Sequence, residues 1–116
     1  MAADELSVVT RTTDDGVVLI RVRGSLDAWS GCSELADALA DAAGRSTGRT
    51  VVDLSGVEFA DSAGLHALLS GRQRHEETGG RLVLAGPLGV SMRRLFEVTG
   101  TLGAFRFADH VDTAFG

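Results

Sequence analysis

The chain has 116 residues, 44% hydrophobic and 5% aromatic, and its 11 basic and 16 acidic side chains give a net charge of −5. That length fits one domain, 1–116, able to bury about two-thirds of its surface without staples, and a single cysteine, Cys32, excludes an intramolecular disulfide and suits a reducing cytoplasm. Net negative charge without a Lys/Arg stripe or tyrosine argues against nucleic acid; with no apolar run near the roughly 18–20 residues of a membrane crossing and no leader over Met1–Leu6, the expectation is a soluble, unprocessed protein whose partner is another protein.

Leu6 to Thr12 reads as a strand, Asp14-Asp15-Gly16 as a turn, and Val17 to Val22 as a second strand, giving an opening β-hairpin. Gly24-Ser25-Leu26-Asp27 breaks it. Cys32, Leu35, Ala36, Leu39, Ala40 and Ala43 then recur at helical spacing, with Asp27 or Ser30 as candidate cap and Gly44 as candidate stop. Val51 to Leu54 is a near-continuous apolar run, as in an interior strand covered on both faces.

A turn over Gly56–Asp61 is expected next, feeding a helix in which Leu65, Leu68 and Leu69 face the core. Gly64 and Gly71 share that helix's inner line, so close approach to the sheet and ordinary tolerance of small residues are both open. Arg72, Arg74, Glu76 and Glu77 read as a solvated face, and Gly79-Gly80 as the stop. Arg81 to Gly86 is a strand ended by Pro87; Leu88, Met92, Leu95, Phe96 and Thr99 repeat as a third helix before Gly100; Ala104 to Phe107 is a short strand; Asp109 precedes a last short helix carrying Val111, Ala114 and Phe115. The order β-β-α-β-α-β-α-β-α predicts an α/β fold: a mixed, mostly parallel sheet of about five strands with an N-terminal hairpin, flanked by about four helices.

Ser62 opens a helix at the carboxyl edge of such a sheet, where sites on open α/β sheets gather. Its simplest role is a helix cap, worth about 1 kcal/mol. A hydrolase would use Asp61, Ser62 and His66, but the positions two residues either side of the serine are Ala60 and Gly64, not paired glycines, and a carboxylate adjacent in sequence to the serine does not aim at the imidazole. A third role is a phosphorylation switch: phosphate at a helix N-terminus meets free N–H groups and a favourable dipole, while Asp61, and Asp27 if its loop lies near, would repel the new charge. Trp29 is a core lid or a contact anchor; His75 and His110 have no second ligand at metal spacing and receive no role.

The run from Val51 through Leu69, with Asp61-Ser62-x-Gly64-Leu65, resembles the STAS domain of bacterial anti-sigma factor antagonists. Gly24-x-Leu26-Asp27, Arg94-Leu95-Phe96 and Gly100-x-Leu102 before Phe105-Arg106-Phe107 support the resemblance across essentially the whole chain. It implies a STAS-like single domain without catalytic activity or cofactor, whose Ser62 is phosphorylated by a partner that is both kinase and anti-sigma factor. The unphosphorylated form would bind that kinase and free the sigma factor, and a phosphatase would reset it; ATP belongs to the kinase, since this chain has no Walker loop.

The resemblance places Asp27 beside the phosphorylation loop and makes Asp27, Asp61, Ala63, Gly64, Leu65 and His66 the partner-binding and switch residues of a monomer or weak dimer. Two positions depart from the pattern. Ala63 stands where a second hydroxyl is common, leaving Ser62 as the one local acceptor, and His66 stands where glycine is common, placing a bulkier, ionisable group on the stripe Ser62, His66, Ser70, Gln73. The alternative is a STAS scaffold or accessory subunit in which Ser62 only caps.

Overall fold

The computed structural model describes residues 6–27, 32–44 and 49–115. Trp29 and Ser30 lie outside them. The expected hairpin forms from β1 (Ser7–Thr12) and β2 (Val18–Leu26), paired antiparallel. Its turn closes with Thr13 N–H donating to Val17 O at 2.8 Å, and Gly16 supplies the required left-handed residue at φ 83°.

β3 (Arg49–Ala60), β4 (Arg81–Ala85) and β5 (Arg106–Ala108) follow in order and in parallel, giving a five-stranded mixed sheet, β1-β2-β3-β4-β5. Helices α1 (Ser33–Gly44), α2 (Ser62–Glu77) and α3 (Val90–Thr99) make the crossovers, and α4 (Val111–Phe115) closes the described chain. Short strand β5 lies later than the expected Ala104–Phe107, because Leu102–Ala104 coil into a 3-10 turn first.

Alternation along β2 divides the core. Ile20, Val22 and Leu26 face α1, α2 and α3, packing with Leu35, Leu39, Leu68, Met92 and Phe96, whereas Leu19 and Val51 face Ala114 of α4. The continuous apolar run of β3 is thus covered on both faces, as its composition implied.

Two strands run past their expected ends. β2 continues through Gly24, Ser25 and Leu26, where a break was expected. The strand begun at Val51 does not stop at Leu54; β3 runs on to Ala60, replacing the predicted turn over Gly56–Asp61. Two register shifts against β2 explain it: Arg21 pairs with Asp53 but Arg23 with Gly56, and Gly24 pairs with Val57 but Ser25 with Phe59. Each inserts one extra residue into β3 and switches which parity faces inward, so the core positions are Val52, Leu54, Val57 and Ala60. Asp53 is buried at the first shift, accepting from Ser55 Oγ at 2.7 Å and lying 3.3 Å from Arg21 Nε.

His75, given no role from the sequence, is 1% exposed. Its Nδ1 donates to Gly71 O at 2.7 Å, so Nε2 accepts from Thr50 Oγ1 at 2.7 Å, tying the last turns of α2 to the start of β3. The solvated face beside it is as expected, with Arg72 and Glu76 paired at 3.0 Å.

The glycines of α2 do pack closely, on two different elements. A Cβ at Gly64 would lie 2.5 Å from Leu26 O of β2, and one at Gly71 would lie 2.5 Å from Leu39 Cδ1 of α1. Backbone cannot move aside as a side chain can, so Gly64→Ala is expected to destabilise by about 1–3 kcal/mol in urea unfolding. Gly44→Ala, with nothing within 4 Å of its new methyl, is expected to stay within about 0.5 kcal/mol of the parent.

Candidate functional site

At the carboxyl ends of β2 and β3 the two strands stay joined: Asp61 N–H donates to Leu26 O at 3.2 Å. This one bond brings Asp27, which follows Leu26, beside the entrance of α2. Asp61 is the residue that caps α2. Its backbone is extended (φ −124°, ψ −170°), and its carboxylate accepts the Ala63 N–H at 2.9 Å. Ser62 is therefore the first helical residue, and the capping role considered for it falls to its neighbour.

The Ser62 hydroxyl is free of that duty and exposed, as are His66, Ser70 and Gln73, so the expected stripe is present along α2. Asp27, Asp61 and Ala63 are half-buried. Gly64 and Leu65 turn inward, Gly64 against Leu26 and Leu65 into the main core, so both serve to seat the helix. No hydrogen bond joins Ser62 to His66 among the described residues, and Asp61 is committed to the cap, so the three side chains form no nucleophilic relay.

Cys32 completes the group. α1 starts at Ser33, so the residue directly before it is Cys32 and not Asp27; Ala36 N–H donates to Cys32 O at 3.0 Å, and Cys32 Sγ donates to Asp27 O at 3.2 Å. Burial pushes the Cys32 thiol above its ordinary pKa, and the negative charges of Asp61 and then Asp27 push it the same way. Both carboxylates thus act on one spot, which is why further negative charge there would be opposed.

Two flanking residues carried no signal in the sequence. Phe59, near the end of the doubly bulged strand, is 48% exposed, and Val90, at the start of α3, is 85% exposed. Ala60 N–H donates to Ser91 Oγ at 3.3 Å, which ties their two segments together. A hydroxyl, two carboxylates and exposed apolar side chains suit a protein-docking face. Among the described residues no group of His, Cys, Asp or Glu is arranged to hold a metal, and no helix is long and apolar enough to cross a membrane.

The family model described as "Mlab, STAS domain" matches residues 9–103. The chain belongs to the STAS domain family. Its fold matches the crystal structure of an anti-sigma factor antagonist from Mycobacterium paratuberculosis at TM-score 0.84 and 27% identity, covering 98% of this chain and 94% of that one. Bacillus SpoIIAA in its phosphorylated form matches at TM-score 0.68 and 21% identity, covering 91% and 95%, and RsbS from Moorella thermoacetica at TM-score 0.74 and 22% identity, covering 93% and 91%. No curated protein matches the sequence. The STAS-like α/β fold expected from the sequence, with hairpin, five-stranded mixed sheet and four helices, is the fold observed.

The cap assignment separates two neighbouring substitutions. Asp61→Ala is expected to cost about 1 kcal/mol in chemical unfolding, whereas Ser62→Ala stays within about 0.5 kcal/mol of the parent. The raised Cys32 pKa has its own consequence: at pH 8 less thiolate is present in the folded chain, so alkylation by iodoacetamide should run slower than on the same chain unfolded in urea.

Proposed function

We propose that this STAS domain is an anti-sigma factor antagonist whose unphosphorylated form binds a kinase-type anti-sigma factor through the exposed face around Ser62, and whose phosphorylation on Ser62 ends that complex. The observation that carries the proposal is the exposed Ser62 hydroxyl at the first position of α2, with Asp27 and Asp61 beside it. A kinase needs an accessible hydroxyl, and a partner switch needs a modification whose effect on the surface is large while its effect on the fold is small.

The geometry supports both conditions. Phosphoryl transfer from the partner's ATP to Ser62 Oγ, with ADP leaving, adds about −1.5 to −2 charges. The dipole and the backbone amides at the helix N-terminus stabilise them, so α2 stays folded. On the surface the same charges join two existing carboxylates, so a partner that accepts the unmodified face meets a more negative one. Asp27, Asp61, Ala63 and His66 face the partner with Ser62, while Gly64 and Leu65 fix the height of the helix beneath it. The similar Bacillus SpoIIAA is known in both unphosphorylated and phosphorylated forms. A phosphoserine phosphatase resets the switch, and the chain itself is a cytoplasmic regulator, monomeric or weakly dimeric, with no chemistry of its own.

Intact-mass analysis after incubation with ATP and each anti-sigma kinase of the same genome tests this directly. Wild type should gain one phosphate and Ser62→Ala none, with Ser62→Glu binding the same kinase at least about tenfold more weakly than wild type. A wild type that binds a kinase yet is never modified would point instead to a constitutive scaffold.

A further inference from the structure

The opposite, amino edge of the sheet carries a feature that the switch does not use. All 11 basic residues of this chain are arginines. No basic stripe exists in the sequence, yet the fold draws Arg72, Arg81 and Arg106, from α2, β4 and β5, around one open pocket of about 320 Å³ that also touches His75, Glu76 and Phe105. Strand register adds Arg49 to the neighbourhood, since Arg49 pairs with Arg81 across β3 and β4.

Like charges directly opposite on neighbouring strands oppose pairing. Arg72 is paired with Glu76, but among the described residues neither Arg81 nor Arg106 forms an ion pair or a hydrogen bond. Three arginines therefore line a hollow with one acidic residue, Glu76, already engaged with Arg72, in a protein whose net charge is −5.

We infer that this pocket is an anion site for a small phosphate-bearing molecule. Guanidinium forks match phosphate oxygens in pairs and are always charged, which favours phosphate over a neutral ligand. The volume is at the lower end of the range for small-molecule sites, about 300–1,000 Å³. The apolar floor is slight: Phe105 is 9% exposed and stacks edge-on with Phe96 at 5.6 Å, leaving no open ring face for a base or an apolar tail. A compact, multiply charged group such as a diphosphate or phosphomonoester fits that lining. Ser62 takes no part, so the site stands apart from the switch proposed above.

The test is an amide NMR titration of the full chain with sodium pyrophosphate, with sodium chloride at matched ionic strength as control. Saturable shifts confined to Gly80, Arg81 and Gly103–Phe105 are expected, with apparent affinity falling at least about tenfold in the double variant Arg81→Gln/Arg106→Gln. Both arginines are exposed, so the double variant should keep its native spectrum elsewhere. Absence of saturation, equal shifts with chloride, or unchanged affinity in the double variant would each overturn the assignment.

Discussion

Everything at the carboxyl edge hangs on the Leu26 carbonyl. It accepts the Asp61 N–H, so β2 and β3 end together, and it lies where a side chain on Gly64 would have to go, so α2 can leave the sheet only with glycine at that position. The side chain of Leu26 is fully buried in the main core. A single residue thus fixes where the strand stops, where the helix starts and how deep it sits. The polar groups gathered there are held by their backbones: Asp27 follows Leu26, Asp61 is bonded to it, and Ser62 begins the helix seated on it. A precise constellation on such a frame needs few side-chain contacts of its own.

Element order was readable because hydrophobic periodicity changes clearly from two to three and four along the chain. The β3 extension was not, because its core positions Val52, Leu54, Val57 and Ala60 are spaced two, three and three apart, which fits no single period once bulges intervene. The site motif was visible as residue types, but the cap was given to Ser62 and belongs to Asp61, since aspartate and serine are both strong capping residues and stand side by side at positions 61 and 62. Burial of His75 could not be read from a helix whose neighbouring positions are charged; its partner Thr50 is distant in sequence and meets it only in the folded sheet. The arginine cluster was hidden for the same reason, since it comes from three elements that only the sheet aligns.

The two ends of the sheet have opposite electrostatic characters. One carries Asp27 and Asp61, whose combined influence reaches Cys32, and the other carries Arg49, Arg81 and Arg106 at the beginnings of successive strands. Parallel strands make this separation possible, because every strand from β2 to β5 starts at one edge and finishes at the other. Acidic and basic groups placed by strand direction stay about a strand's length apart, of the order of 17–20 Å. At physiological ionic strength that exceeds the Debye length of about 8 Å, so solvent largely decouples the two edges.

The paired bulges of β3 also bear on which changes of length the chain can accept. Connecting segments ordinarily tolerate insertions, and the stretch just before Ser62 would look like a connection to anyone reading residues alone. It is a strand whose facing is counted in whole residues: two insertions relative to β2 restore the parity that one would have reversed. Removing a single residue between Ser55 and Phe59 would turn Ala60 outward and carry an exposed side chain into the core, and the bond from Asp61 to Leu26 would have to break or slip. Natural variation among relatives of this chain is therefore expected to alter the exposed side chains along this stretch while leaving its number of residues unchanged.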